Sequence, residues 1–216
     1  VFVVDDEPFV LQSLAGVLES YGLHAETFAS GAAFLAQFDP NRRGCLLIDL
    51  KLPDMTGIEL YRQIREQGGH MPAIMFSGRG SIPEVSESMR AGAIDFLEKP
   101  VDSELLANRV REALIADLEQ QGQFELCHEL RKRVATFSPR ERQVGGFVLD
   151  GLTAKQIAER LGIETKTVEV HRSRLVRKAA SGSTLEFVRD MASCGTSDSK
   201  SFDELLASQS DAKRNG

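Results

Sequence analysis

The sequence is poor in cysteine, the residue that cross-links small extracellular domains through disulfides. It has three cysteines, no tryptophan and no apolar run long enough to span a membrane. Cys45, Cys127 and Cys194 are odd in number and lack metal-ligand spacing, so we expect neither a disulfide framework nor a zinc site. No signal-peptide pattern opens the chain, and because Val1 already lies in an apparent strand, we expect residues to be missing before it. These absences favour a cytoplasmic protein without a membrane segment.

Positive charge is scarce over the whole chain but is unevenly distributed. The net charge of −6 argues against a protein that binds polyanions over its whole surface. Residues 1–101 carry 14 acidic and 8 basic side chains, whereas residues 137–192 carry 7 acidic and 10 basic ones. An acidic first part followed by a basic second part indicates two domains with different tasks.

Short apolar runs alternate with amphipathic segments in the first hundred residues. The apolar runs are 1–5, 24–28, 45–49, 73–77 and 94–97, and the helix-like segments between them are 8–21, 30–38, 57–67 and 82–91. Strands separated by single helices predict an α/β domain with a doubly wound, five-stranded parallel sheet. In such a fold, ligands bind at the carboxyl ends of the strands.

Polar residues follow several of these predicted strands and are expected at one edge of the sheet. Asp5 and Asp6 follow the first strand, Asp49 ends the third, Ser77 ends the fourth, and Lys99 follows the fifth. Three carboxylates at one point repel each other unless a hard cation such as Mg²⁺ lies between them. A cation, a lysine and a hydroxyl around one carboxylate suit a phosphoryl group that is attacked by that carboxylate. The pattern therefore predicts that Asp49 is a nucleophile towards phosphorus.

The second part of the chain is predicted to be helical. Apolar residues at helical spacing over 102–118 predict a helix that closes the first domain. Residues 119–136 form either a helical linker or a solvated charged linker. Residues 193–216 include six serines and few large apolar residues, which predicts a disordered tail, although its segment FDELLA could also be a nascent helix or a docking motif.

Two consecutive helices around Gly162 have the spacing of a helix-turn-helix. Ala158, Gly162 and Val168 supply a small residue at close approach, a turn glycine and an apolar anchor. Residues 166–178 carry five basic side chains against the single acid Glu169, which favours a helix that enters the major groove of DNA. Before these helices, two adjacent glycines in VGGF (144–147) each cost a helix about 1 kcal/mol relative to alanine, so we expect that helix to be locally loose.

The first domain (1–118) resembles the flavodoxin-like receiver domain of two-component response regulators. The segments that carry the resemblance are VVDDE (3–7), LIDLKLPDMTGIEL (47–60), FSGRG (76–80) and AGAIDFLEKP (91–100). The resemblance implies that Asp49 is the phospho-acceptor and that the Lys99–Pro100 bond is cis. It assigns Mg²⁺ to Asp5, Asp6, Asp49 and the backbone carbonyl of Lys51. It further assigns phosphoryl contacts to Lys99 and Ser77, and the role of an aromatic switch to Phe96.

Residues 137–192 resemble the LuxR-type helix-turn-helix domain of the NarL/FixJ class. The segments SPRERQV, KQIAERLGI and KTVEVHRSRL carry this resemblance, and STLEFVRDMA (183–192) matches the fourth helix. It implies that helix 166–178 recognises DNA. The residues expected near bases are Glu169, Val170, Arg172 and Ser173, and those expected near phosphates are Lys166, Thr167, Arg174 and Lys178. Glu169 either accepts a hydrogen bond from a cytosine amino group or balances charge on its own helix.

Together the two resemblances imply a cytoplasmic response regulator that is not an enzyme. A sensor histidine kinase would phosphorylate Asp49, and the protein would then bind promoter DNA as a phosphorylation-promoted homodimer. Two alternatives remain at this point. An aspartyl-phosphate phosphatase usually has a second acid two residues after its nucleophile, a position that Lys51 occupies here. A protein adaptor in place of the DNA-binding domain would leave the basic helix unexplained.

Overall fold

Five short apolar runs build a parallel sheet in the first part of the chain. The computed structural model describes residues 1–78 and 81–212, with only the backbone described for 208–212. Arg79 and Gly80, which end the FSGRG motif, lie outside the described residues. The chain divides into two compact units, Val1–Gln120 and Gln121–Gly216.

The first unit has the predicted five-stranded α/β architecture. Its elements are β1 (Phe2–Val4), α1 (Pro8–Ser20), β2 (Glu26–Phe28), α2 (Gly31–Leu35), β3 (Leu46–Asp49), α3 (Gly57–Glu66), β4 (Ala73–Ser77), α4 (Ile82–Arg90) and β5 (Asp95–Glu98). The strand order is β2-β1-β3-β4-β5, and every neighbouring pair is parallel. This confirms the predicted doubly wound sheet, in which the carboxyl ends of β1, β3 and β4 are adjacent.

Both faces of the sheet are buried, as a parallel sheet with helices on either side requires. Successive residues of a strand point to opposite faces. Leu46 and Ile48 of β3 belong to one core cluster, and Leu47 between them belongs to the other. The two cores hold the strand ends rigidly, because each strand packs on both of its faces.

A single long helix, α5 (Ser103–Val134), spans the segment that was predicted as a domain-closing helix and a linker. Leu106 and Val110 are buried in the first unit, whereas Leu130 and Val134 are buried in the core of the second. The helical form of residues 119–134 is therefore observed in place of a solvated, irregular linker. No helix in the described part of the chain is both long enough and apolar enough to cross a membrane.

The second unit is entirely helical within the described residues. Besides the end of α5, it contains α6 (Pro139–Leu149), α7 (Ala154–Leu161), α8 (Thr165–Ala179), α9 (Thr184–Ser193) and α10 (Ser199–Ala212). Capping boxes start α6 at Ser138 and α7 at Thr153. Gly162 ends α7 with a φ of 62°, a left-handed conformation that suits glycine.

Residues 193–212 differ from the disordered tail that composition predicts for 193–216, and residues 213–216 lie outside the described residues. Residues 199–212 form α10, and the Phe202 side chain is fully buried beside Phe137. A Cβ added to Gly145 would lie 3.2 Å from the Phe202 ring. The two glycines of α6 therefore make room for α10, which accounts for residues that the sequence alone presents as a weak point of the helix. Composition does not predict this packing, because a single residue, Phe202, anchors the segment in the space beside Gly145.

The cysteines also differ from expectation. Cys127 and Cys194 form a disulfide with a Cα–Cα distance of 5.4 Å, while Cys45 is free and buried. The 67 residues between the bonded pair hide their proximity from any local spacing rule.

Candidate acidic site and candidate nucleic-acid interface

Asp49 ends β3 at the edge of the sheet where the sequence places the polar residues. Its side chain is 9% exposed. One carboxylate oxygen accepts a hydrogen bond from the backbone N–H of Lys51 at 2.6 Å, and the other accepts one from Lys99 Nζ at 2.6 Å. Burial raises the pKa of Asp49, although both of these hydrogen bonds oppose the rise. The site therefore holds a carboxylate whose charge is only partly compensated.

Lys99 joins the two buried acids of the site. Its Nζ donates to Asp5 Oδ2 at 2.5 Å as well as to Asp49 Oδ1, and the other oxygen of Asp5 accepts from the Glu7 backbone N–H. Burial disfavours the charge on Lys99, but the hydrogen bonds to Asp49 and Asp5 outweigh it and raise the pKa of Lys99. The cis Lys99–Pro100 bond that the resemblance implies is present. Sequence positions 5, 49 and 99 thus meet within hydrogen-bond distance.

The predicted three-carboxylate group is not assembled among the described residues. Asp6 is exposed, and no set of three or more His, Cys, Asp or Glu side chains in the described ranges is close enough to hold a metal ion. Lys99 Nζ lies between Asp5 and Asp49 in this structure, and the magnesium site stays a prediction. The donor chemistry nevertheless suits a hard cation, because two buried carboxylates here already require a positive charge between them.

Gly57 has a role at this site that the sequence analysis did not assign. Its backbone N–H donates to the Leu50 carbonyl, and a Cβ at this position would lie 2.2 Å from the Asp49 backbone oxygen. The start of α3 can therefore pass directly beneath Asp49 only when residue 57 has no side chain. The sequence could have indicated this role, because a glycine is an unusual first residue for the helix that follows Asp49.

Ser77 and Phe96 occupy the predicted neighbouring positions. Ser77 ends β4 and is 3% exposed, and its backbone carbonyl accepts from the Lys99 N–H at 2.8 Å. Phe96 lies in β5 opposite Met75 and is half-buried against the core. Both residues stand on strands that flank the Asp49–Lys99 pair on the β4–β5 side.

In the second unit, α8 presents a largely exposed polar face. Glu164 precedes this helix without a side-chain cap, and Val168 and Leu175 anchor it in the core. The predicted contact residues that are exposed are Lys166, Thr167, Glu169, Val170, Ser173 and Arg174. An anchored helix with one basic, exposed face has the form of a helix that reads the major groove.

Lys178, one of the predicted contact residues, pairs with an acid of another helix. Lys178 Nζ donates to Glu141 Oε2 at 2.6 Å and to the Thr136 carbonyl at 3.2 Å. Burial alone would raise the pKa of Glu141, but the hydrogen bonds from Lys178 and Ser138 outweigh it and lower that pKa. Lys178 therefore ties α8 to the start of α6, and its phosphate contact stays a prediction.

Arg172 and Glu169 form a pair on α8. Arg172 donates to Glu169 at 3.1 Å, three residues earlier on the same helix. This pairing corresponds to the alternative in which Glu169 balances charge on its own helix. The pair is partly exposed, so it is open to exchange with polar groups of a ligand.

Family models match both units of the chain. Residues 1–111 match the response regulator receiver domain, and residues 135–189 match the bacterial regulatory proteins of the luxR family. The first range includes the whole acidic site, and the second includes α6 to α8.

Curated relatives span most of the chain. The transcriptional regulatory protein FixJ of Azorhizobium caulinodans is 42% identical over 189 residues, which covers 88% of this chain and 90% of the relative. The response regulator protein TodT of Pseudomonas putida is 37% identical over 189 residues, with 88% and 83% coverage.

Solved structures of similar proteins cover both units as well. The response regulator StyR is 34% identical with a TM-score of 0.71, covering 88% of this chain and 96% of that one. Full-length FixJ from B. japonicum is 32% identical with a TM-score of 0.56, covering 90% and 96%.

Proposed function

The chain belongs to the two-component response regulators that join a receiver domain to a LuxR-type DNA-binding domain, and from this premise we propose that a sensor histidine kinase phosphorylates it on Asp49. The relatives are transcriptional regulators, so the prediction that the chain is not an enzyme is confirmed. The family likewise leaves no reason to retain the phosphatase and adaptor alternatives.

The observation that carries this proposal is the position of Asp49 against Lys99. Asp49 Oδ1 and Lys99 Nζ are 2.6 Å apart at the carboxyl ends of the central strands. In the transfer, an Asp49 carboxylate oxygen forms a bond to phosphorus while the bond between phosphorus and the kinase histidine nitrogen breaks. The Lys99 ammonium is then available to the phosphoryl oxygens, which carry the charge that Asp49 loses.

A magnesium ion would neutralise the oxygens of the transferring phosphoryl group when it is bound. Asp5, Asp6, Asp49 and the backbone carbonyl of Lys51 would hold it, consistent with the oxygen ligands that this ion prefers. Lys51 lies next to Asp49, and its backbone N–H already donates to the Asp49 carboxylate. This chain thus orients the nucleophile with its own backbone.

Phosphorylation is proposed to act on the DNA-binding unit through Ser77 and Phe96. The Ser77 hydroxyl would donate to the phosphoryl group, and Phe96, which is half-buried against the core, would turn further inward. A charge change of this kind can bias an element with two arrangements. The resulting surface change would favour a homodimer, whose two copies would bind two half-sites with higher effective concentration.

DNA binding is proposed for the exposed face of α8. Lys166, Thr167 and Arg174 would contact phosphates, and Glu169, Val170, Arg172 and Ser173 would lie near base edges. The protein must meet both the kinase that phosphorylates it and its promoter DNA. We therefore propose that it is cytoplasmic.

The phospho-acceptor is tested by incubating the full chain with a small acyl phosphate and Mg²⁺. We expect one base-labile phosphoryl adduct in the intact mass spectrum, and we expect Asp49→Asn to abolish it. Asp203→Asn is the matched control, because Asp203 is an exposed acid on α10. An adduct that persists in Asp49→Asn would overturn the assignment.

A further inference from the structure

Two cysteines from distant parts of the sequence meet in the second unit. Cys127 lies in the second half of α5, and Cys194 directly follows α9. Their Cα atoms are 5.4 Å apart, which is within the range that a disulfide requires, and their sulfurs are bonded. Both residues are partly exposed, so small thiol reagents have access to the pair.

Gln123 brings the two cysteines together by noncovalent contacts. It lies one helical turn before Cys127, and its side-chain amide donates to Cys127 Sγ at 3.3 Å. The same amide nitrogen lies 3.0 Å from both the backbone oxygen and the hydroxyl of Ser193, the residue before Cys194. Gln123 therefore links the turn of α5 that carries Cys127 to the residue before Cys194 by contacts that are separate from the S–S bond.

Cys45 provides a contrast within the same chain. It is fully buried in the first unit, and burial raises the pKa of its thiol to about 12. A thiol of this kind is inert towards exchange, because the thiolate is the nucleophile.

We propose that Cys127 and Cys194 form a reversible thiol–disulfide site that is oxidised by low-molecular-weight disulfides and fastens the linker part of α5 to the end of α9. The proposal rests on the proposed function in one respect. A regulator that binds promoter DNA works in a compartment where thiols are kept reduced, and disulfides there are usually transient or redox-sensing. Cys127 and Cys194 would then be free thiols under reducing conditions and would form the disulfide under oxidation.

The exchange proceeds in two steps that balance. The Cys127 thiolate attacks one sulfur of the small disulfide, which forms a mixed disulfide and releases one small thiolate. The Cys194 thiolate then attacks the Cys127 sulfur, forms the protein disulfide and releases the second small thiolate. Two protein thiols are oxidised with loss of two protons, and the small disulfide is reduced to two thiols.

The structural consequence falls on one part of α5. Leu130 and Val134 are buried in the core of the second unit, so the last turns of the helix are anchored in either redox state. Residues 122–126 are exposed and include Gly122, which weakens a helix. Oxidation therefore restrains a segment that otherwise depends on the Gln123 contacts, and reduction lets it open more often.

The site is tested by equilibrating the full chain in glutathione buffers of varied oxidised-to-reduced ratio, then alkylating the free thiols and measuring the intact mass. We expect wild type and Cys45→Ser each to lose two alkylation sites as the oxidised fraction rises and to regain them on reduction. Cys194→Ser and Cys127→Ser should instead stop at a mixed disulfide. Two alkylatable thiols at every ratio, or a bond that includes Cys45, would overturn the proposal.

Hydrogen exchange tests the consequence for the helix. Amides of residues 119–129 should exchange at least about tenfold more slowly in the oxidised chain than in the reduced chain or in Cys194→Ser. Equal exchange in the two redox states would contradict the proposed fastening. Neither readout requires phosphorylation or DNA, so failure of this inference and failure of the proposed function give different results.

Discussion

At the scale of single residues, the acidic site depends on charges that are buried together. Lys99 donates hydrogen bonds to Asp5 and Asp49, and the Lys51 backbone N–H donates to the other oxygen of Asp49. Removing Lys99 would be costly, because it would leave two buried acids without compensation, whereas removing the charge of Asp49 leaves Lys99 paired with Asp5. Substitutions here therefore report on electrostatics as well as on function.

We predict that Asp49→Asn stabilises the first unit at neutral pH. Burial raises the pKa of Asp49 above the ordinary 3.8, so the folded state disfavours its charge. Removing that charge should raise the Tm by a few degrees at pH 7. The gain should shrink as the pH falls through the raised folded pKa, and it should vanish below 3.8, where Asp49 is protonated in both the folded and the unfolded state. Thermal unfolding from pH 7 down to pH 3 measures this, and a gain that is independent of pH would contradict it.

Gly57 and Gly16 form a matched pair for a second prediction. An added Cβ at Gly57 would lie 2.2 Å from the Asp49 backbone oxygen, whereas Gly16 in α1 has no atom within 4 Å of that position. We expect Gly57→Ala to destabilise the first unit by about 3 kcal/mol. Gly16→Ala should instead stabilise it by about 1 kcal/mol. Urea unfolding gives both values, and equal effects would show that the close contact does not matter.

At the scale of elements, α8 and α10 show how tertiary contacts assign roles to similar side chains. Arg174 is exposed on α8, whereas Lys178 on the same helix pairs with the buried Glu141 of α6. Charge counting treats the two residues alike. Only the packing of α6 on α8 separates a surface residue from a structural one.

We expect Arg174→Ala and Lys178→Ala to differ in their effects. Arg174→Ala should weaken promoter binding and lower the salt slope by about 1 while leaving stability unchanged. Lys178→Ala should mainly lower stability, by about 1–2 kcal/mol, because it leaves the buried Glu141 without its partner while the exposure of Lys178 screens the pair. The Lys178 effect should be complete above pH 4.5, the ordinary value for Glu141, and should fade as the pH falls through the lowered pKa of that residue. Mobility shifts at several salt concentrations and urea unfolding measure the two, and a reversed order would contradict this division.

The docking of α10 leads to a further prediction. Phe202 is fully buried against α6, whereas Leu185 on α9 is 79% exposed. Phe202→Ala should destabilise the second unit by about 3–4 kcal/mol. Leu185→Ala, the control, should change stability by less than about 0.5 kcal/mol. If chemical unfolding found the two variants alike, α10 would contribute nothing to the core.

At the scale of the whole molecule, two separate cores are joined by one continuous helix. Leu106 and Val110 belong to the first core, and Leu130 and Val134 belong to the second. The disulfide, Cys127 with Cys194, lies entirely within the second unit. Stability should therefore be partitioned between the units.

We predict two thermal transitions that respond to different changes. A bond that closes a loop of 67 residues restricts the unfolded chain by about 4 kcal/mol in the chain-entropy description. A reductant, or Cys194→Ser, should therefore lower only the transition of the second unit, while Asp49→Asn should shift only the other. Scanning calorimetry of the full chain resolves them, and one transition that moves under both changes would refute the partition.

The sequence by itself determined the alternating strands and helices of the first unit, the helix-turn-helix, and the edge of the sheet at which the acidic residues lie. Short apolar runs identify the strands, and the polar residues at strand ends mark the edge where Asp5, Asp49 and Lys99 meet. These features can be predicted from the sequence because each depends on residues that are close together in the chain. The helix-turn-helix could be predicted for the same reason.

Only the tertiary structure decided how distant residues are used. It placed Lys99 between Asp5 and Asp49, paired Lys178 with Glu141, joined Cys127 to Cys194 by a disulfide, and packed Phe202 beside Gly145. Each of these contacts joins residues more than 30 positions apart. Burial and charge compensation select such partners after the elements have packed, so no local pattern encodes them.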